Sequence, residues 1–433
     1  MIDWVEPYLE KLTFRAEKEG AFTSGGAPCF YLPGWQLPDG QKVEIYIEQF
    51  FAVLSPAGRE QILVKRAEQS EEIDGDLFRL LKSIEARRVQ SEHFFYLLLL
   101  SYDFGAARNG IQHEIDFYSL PEWYLILPAR GYLRYGDANQ VLRFDAGSAG
   151  LACRPPLQTL AQGNGAAQSE PQTGYLKKIQ RIRDLIASGE FYQLNFTLRF
   201  SKPADRPGFE IFKEWYKKTG APRSFYLALS EAEILSISPE RFWLQKGQTV
   251  LTEPIKGTIK RSADAGEDLR LKQLLLKSKK DRAELDMITD LLRNDLAKVC
   301  RTGSVLVKKR HDLRTFSHVH HLVSEVRGRL LPGKDFVDLI DATFPGGSIT
   351  GCPKIAAMQY INRLEAHNRS FYTGSFFLRF PLRNVTDSSI LIRTAILKDG
   401  YVHYQAGGGI VIDSEPQKEY EECLAKAAPF LKD

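Results

Sequence analysis

Over the first third of the chain, apolar and polar positions turn over in short runs, the pattern of half-buried strands rather than long helices. Residues 90–104 contain a continuous apolar run, Phe94 to Leu100, which predicts a strand buried on both faces. Trp123 to Leu127, bounded by Pro121 and Pro128, predicts a second. Residues 130–144 alternate around Gly136-Asp137-Ala138-Asn139, the pattern of a hairpin. The pattern breaks at 162–174, a stretch rich in Gly, Ala, Gln and Ser. The expected organisation is therefore a β-rich region over 1–158, a linker or mobile loop over 159–174, and a second region over 175–428.

The second region opens with helical spacing, in Tyr175, Ile179, Ile182 and Ile186, stopped by Gly189. Residues 189–196 then read as a strand with Gln193 and Asn195 on one face. Their amides either read a polar ligand or simply make one polar face. Residues 279–298 predict the clearest helix, with Glu284, Ile288, Leu291 and Asp295 along one side and Asp281 one turn earlier. A carboxylate on a mainly apolar stripe is costly unless it is paired or binds a metal, and either reading fits.

Three further stretches carry candidate chemistry. In Glu253-Pro254-Ile255-Lys256-Gly257-Thr258, Pro and Gly place turn punctuation around one lysine. Residues 344–354, with Gly346, Gly347 and Gly351, form a loop that feeds a helix at Pro353 and could attract an anion; the Walker order is absent. Gly407-Gly408-Gly409 permits close backbone approach to a ligand and precedes a helix from about Pro416. In that helix Glu419, Glu422 and Lys426 share a side, either as a surface pair or, with Asp281 and Glu284, as a hard-cation site suited to Mg²⁺.

Composition narrows the field. The chain has 433 residues, 43% apolar and 26% charged, with a net charge of +4, the balance of a soluble globular protein. Nothing in it points to nucleic acid or a membrane surface. Lys277, Lys279 and Lys280 precede Asp281 and Glu284, so they read as a solvated helix start. Five cysteines without a C-x-x-C pair suggest neither a disulfide framework nor zinc, and a reducing cytoplasm is the expected home. Met1 to Glu6 lacks the features of a signal peptide. His318 and His320 would share one strand face and His321 the other, so the three do not converge on a metal.

From about residue 175 to 428 these motifs together resemble the chorismate-utilising enzymes, a family that includes the large subunits of anthranilate synthase and aminodeoxychorismate synthase and the isochorismate and salicylate synthases. The resemblance is carried in order by Gly189 to Asn195, Ser238-Pro239-Glu240-Arg241-Phe242, Asp281-Arg282-Ala283-Glu284 with Arg293-Asn294-Asp295, and His321-Leu322-Val323-Ser324. It continues through Phe344 to Lys354, Tyr372-Thr373-Gly374, Ile392-Arg393-Thr394 and Ala406 to Glu422. The first 158 residues match weakly. Ser101-Tyr102-Asp103 resembles a signature there, and the Leu-Leu-Glu-Ser motif of tryptophan-binding relatives is absent. Pro254-Ile255-Lys256-Gly257-Thr258 resembles the branch that aminates C4; anthranilate synthases carry Ala where Lys256 stands. Isochorismate and salicylate synthases carry a lysine at the position of Gln193. Cys352 departs from the small residue usual there.

The resemblance implies an α+β fold, a large α/β sandwich of antiparallel sheets flanked by helices. It implies that chorismate and ammonia give 4-amino-4-deoxychorismate, with a component I anthranilate synthase as the alternative and an inactive chorismate-binding subunit as a third reading. Glu240 would be the general acid and Lys256 the nucleophile. Glu284 and Glu422, backed by Asp281 and Glu419, would hold Mg²⁺. Gln193, Gly257, Thr258, His321, Ser348, Tyr372, Arg393, Gly407, Gly408, Gly409 and Lys426 would bind substrate. No cysteine sits in a Gly-x-Cys-x-Gly turn, so ammonia from glutamine would come through a separate glutamine amidotransferase subunit, and no segment is expected for converting the product to p-aminobenzoate.

Overall fold

The computed structural model describes residues 5–17, 27–37, 40–58, 60–67, 69–87, 91–135, 141–147, 150–152, 167–316 and 319–431. Among these, the strands join through antiparallel ladders into one connected network flanked by helices, an α+β sandwich around a contiguous apolar core. The longest strand, Lys42–Gly58, pairs with Phe30–Gln36, Trp123–Tyr135 and Gln61–Lys65, and three register shifts between Ile47 and Ala52 bend it.

The apolar run forms the strand Tyr96–Leu100, buried at every residue. It lies between Trp123–Tyr135 on one edge and Ser375–Phe380 on the other. Phe30–Gln36 likewise pairs with Arg223–Ala228. The strands before residue 158 are thus built into the same network as those after 175.

Two expectations need correction, and the hairpin expectation holds. The strand from Trp123 does not stop at Pro128 but runs on to Tyr135, because Pro128 falls at a register irregularity where no ladder donor is needed. The hairpin pairing of Arg130 with Asp145 is present, with its turn outside the described residues. Of the expected linker, 159–166 lies outside the described residues, while Ala167–Gln168 pairs with Ser201 and Phe200, and the next helix already begins at Gln172.

The helices nearest the chemistry are Lys279–Ala297, capped by the Ser278 hydroxyl, and Pro416–Leu431, which packs on the strand Tyr401–Ile410. The glycine run is therefore part of a strand. It pairs with Gln193–Pro203, with Asn195 opposite Gly409 and Thr197 opposite Gly407. No described helix is long and apolar enough to cross a membrane.

Candidate active site

Ile255 to Thr258 lies in a bulged strand, Ile255–Lys260, rather than in a free turn, with Glu253 and Pro254 just ahead of it. The register against Val319–Arg329 slips between Lys256 and Thr258, and a bulge of this kind re-aims the side chain beside it. Gly257 takes φ +69°, and a Cβ there would lie 2.9 Å from Asp281 and Leu275. Only glycine lets the helix carrying Asp281 rest on the bulge. Glu253, just upstream, is gripped by Arg241 at 2.5 Å and Arg314 at 2.6 Å, and Arg241 in turn meets buried Asp387 at 3.0 Å. The segment carrying the lysine is thus anchored by an ion-pair chain at one end and a tight helix contact at the other.

Lys256 and Gly257 line a cavity of about 480 Å³ with Glu240, Thr258, Asp281, Glu284, His321, Ser348, Tyr372, Arg393, Gly407 to Gly409, Glu419, Glu422 and Lys426. Residues spread over some 180 positions of sequence meet here because the strand network folds their strands and helices against one another. A larger hollow of about 600 Å³, near Phe78, Phe104 and Trp123, has no such convergence of charged groups.

Glu240 is 7% exposed and accepts a hydrogen bond from the Ser348 hydroxyl at 3.0 Å. Burial raises its pKa to about 7, against the opposing pull of Lys256 and the Ser348 bond. At neutral pH a large share of it therefore carries a proton that it can give away. His321 is lowered to about 4 by burial and by Arg393, so it is neutral, and its Nδ1 lies 2.8 Å from the Thr258 hydroxyl. Arg393 and Thr373 hold positive φ angles of 50° and 61°, backbone strain beside the cavity that the surrounding ladders support.

The acids come from the two helices that line the cavity, Lys279–Ala297 and Pro416–Leu431. Burial raises Glu284, and Asp281 and Glu419 add repulsion; burial raises Glu419, with Glu422 adding to it. Burial also acts on Glu422, but Lys426, Lys280 and Lys256 outweigh it and hold that carboxyl low. No three acid, His or Cys groups among the described residues stand close enough for a ready-made cage. An all-oxygen donor set with open spacing fits a hard divalent cation that keeps water or substrate oxygens, as Mg²⁺ does.

Several placements differ from expectation. Gln193 is absent from the cavity wall, because its amide packs over Gly409 so closely that a Cβ there would sit 2.1 Å from Nε2. Its strand neighbour Asn195 reaches the cavity instead. Lys280 is no ordinary solvated residue; it lines the cavity 3.9 Å from Glu284. Asp295 is a structural pair, 2.5 Å from Lys354 and 2% exposed, whereas Glu284 faces the cavity. Buried His320 meets Asp268 at 2.8 Å on the side away from His321; His318 lies outside the described residues. The sequence reading also missed a buried pair, Glu365 and Arg369, that braces the wall. Their four-residue spacing was the available signal.

The family model for chorismate binding enzymes matches residues 39–432. Anthranilate synthase component 1 of Thermus thermophilus is 40% identical over 259 residues, 60% of this chain and 56% of that protein. Aminodeoxychorismate synthase component 1 of Salmonella typhimurium is 37% identical over 348 residues, 77% of this chain and 75% of that one. The match thus spans little more than half the length of the Thermus relative. The crystal structure of anthranilate synthase component I from Streptococcus pneumoniae has a TM-score of 0.76 at 25% identity, covering 89% of this chain and 91% of that one.

Proposed function

The chain belongs to the chorismate-binding enzymes, and on that premise we propose that it aminates chorismate at C4 with ammonia, giving 4-amino-4-deoxychorismate. The observation that carries the choice of product is Lys256, set on a glycine bulge inside the cavity and acting on the buried acid Glu240. Relatives named for either product resemble the chain to a similar degree, so the lysine is the discriminating feature.

Glu240 donates its proton to the departing 4-hydroxyl, which leaves as water. The neutral amine of Lys256 adds at C2 as that bond breaks, and loses a proton. Ammonia then adds at C4 and expels the lysine, whose nitrogen takes up the proton that the new ammonium surrenders and so leaves as the neutral amine. Arg393, Tyr372 and the Gly407–Gly409 amides orient the enolpyruvyl carboxylate, Arg393 through charge-assisted hydrogen bonds. Asp281, Glu284, Glu419 and Glu422 would hold Mg²⁺, which when bound grips the ring carboxylate and polarises the conjugated system. Ammonia would come from a glutamine amidotransferase partner, in keeping with relatives named as first components. Cys29, Cys300, Cys352 and Cys423 are unbridged, which suits the reducing cytoplasm we propose as its location.

Incubation with chorismate, Mg²⁺ and ammonium, followed by mass analysis, tests the reading. Aminodeoxychorismate is expected. Anthranilate with pyruvate would replace this reading with the anthranilate branch, and binding without turnover would make the chain an inactive subunit. Lys256→Ala should lower C4 amination by roughly a thousandfold, with residual product shifted toward anthranilate. Lys256→Arg should not rescue, since guanidinium stays protonated. Enzyme quenched with chorismate but no ammonia should carry an adduct on the Lys256 peptide.

A further inference from the structure

Ser101-Tyr102-Asp103 takes no part in the chemistry above, yet all three residues are buried or nearly so and converge on one turn of the catalytic region. Ser101 caps the helix Tyr102–Arg108 through its hydroxyl. The Tyr102 ring lies 4.7 Å from the Arg369 guanidinium. The Asp103 carboxylate accepts from Asn368 Nδ2 at 2.8 Å, from the Ser370 amide at 2.9 Å and from the Arg369 amide at 3.4 Å. A carboxylate that ties down three consecutive residues fixes the turn from which Arg369 extends.

Arg369 is 1% exposed, and its side chain reaches three parts of the cavity wall. It forms a two-point pair with Glu365, at 2.8 and 2.7 Å. Glu365 in turn accepts from the Thr197 amide and hydroxyl, on the strand that carries Asn195. Arg369 Nη2 donates to the Asn195 carbonyl at 2.8 Å, and Nη1 donates to the Ile349 carbonyl at 3.0 Å. Ile349 ends the short 3₁₀ turn Gly347–Ile349, whose middle residue Ser348 holds Glu240. The Arg369 carbonyl also accepts from the Tyr372 amide at 3.1 Å.

We propose that Asp103, Arg369 and Glu365 are positioning residues: a hydrogen-bonded chain that sets the Ile349 carbonyl and thereby keeps the Ser348 hydroxyl on Glu240. The motif in the first 158 residues thus acts on the reaction without touching substrate. The proposal deepens the reading above and rests on it only for Glu240 being the acid. A lysine at 369 keeps the charge but cannot bond Glu365 at two points and reach both carbonyls. The Ser348 bond favours the ionised carboxylate, so loosening it raises the pH at which Glu240 titrates. Lys256 is the charged group acting on Glu240 and is unchanged in every variant below.

The test is an infrared pH titration of the full chain without chorismate, following the protonated-carboxyl band that Glu240→Gln removes. The wild-type midpoint should fall near 7. Ser348→Ala and Arg369→Lys should each raise it, by roughly half a pH unit or more, and the double variant should move no further than either alone. Asp103→Asn, a milder change at the far end of the chain, should shift it the same way and also fail to add to Ser348→Ala. This variant decides the matter if Arg369→Lys does not fold. A midpoint that stays at the wild-type value in Arg369→Lys or Asp103→Asn, shifts that add to Ser348→Ala, or a Ser348→Ala midpoint that does not move would each overturn the proposal. Because no substrate is present, a failure to aminate chorismate would sink the functional reading while leaving this result intact.

Discussion

The two sides of the reaction cavity are built on opposite principles. The strand side, carrying Asn195, Ser348, Tyr372 and the glycine run, is locked before anything binds. Its buried ion pair Glu365–Arg369 is 6% and 1% exposed, and the Arg369 guanidinium donates to the wall carbonyls of Asn195 and Ile349. The helix side, carrying Asp281, Glu284, Glu419 and Glu422, is electrostatically unfinished. Burial, with repulsion added, raises Glu284 and Glu419, whereas Lys426, 2.7 Å away, holds Glu422 low; Lys280 and Lys426 are 59% and 40% exposed.

The largest effect should come from the unfinished side. Glu284→Gln or Glu422→Gln should lower turnover of chorismate by roughly a thousandfold or more while circular dichroism shows an intact fold. Equal rates in EDTA and in Mg²⁺ would break the assignment. Next comes the locked side. Glu365→Gln leaves Arg369 buried without its charge partner, which should cost about 3–5 kcal/mol in denaturant unfolding.

Between the two lies Glu240, an acid on the locked side whose pKa is raised from 4.5 to about 7. The folded state holds this proton more tightly than the unfolded chain does. Its contribution to stability is therefore full below about pH 4.5 and is lost as pH rises through 7. Glu240→Gln removes that loss, so at pH 8 it should be more stable than the parent by up to about 3 kcal/mol, with the gap closing in acid. A gap independent of pH would mean that Glu240 is not held protonated. The smallest effect sharpens the contrast most. Glu419→Gln in metal-free protein should raise the unfolding midpoint by about 1–2 °C, because it removes the repulsion from Glu422 while the glutamine oxygen can still accept from Ser414. Loss of the Glu365 charge and loss of the Glu419 charge then have opposite signs.

Much of this was visible in the residues themselves. The strand Tyr96–Leu100 and the helix Lys279–Ala297 were marked by pattern, and Glu240, Lys256, Glu284 and Arg393 at the cavity wall by motif. Periodicity assigns a face, though, and does not say what stands in front of it. Gln193 and Asn195 share a face, yet Gly409 leaves room for the Gln193 amide to fold behind the wall. Lys280 has the composition of a solvated helix start, and only the approach of the two helices puts it beside Glu284. Pro128 reads as a strand end until its partner strand shows an irregularity opposite it. Glu365 and Arg369 look like an ordinary surface pair at helical spacing. Their meaning depends on carbonyls more than a hundred positions away, at Asn195, and on a turn twenty positions away, at Ile349.

The interleaving of early and late strands has a consequence for how the chain is made. Tyr96–Leu100, five buried apolar residues in a row, gains one neighbour when Trp123–Leu127 is synthesised, seconds later. Its other edge waits for Ser375–Phe380. At ordinary elongation rates that wait is of the order of tens of seconds. Throughout it, a flat, uncharged, β-prone edge is open to pairing with another nascent chain. Yield in the cell should therefore respond to chaperone supply and translation speed more than the stability of the finished sandwich would suggest.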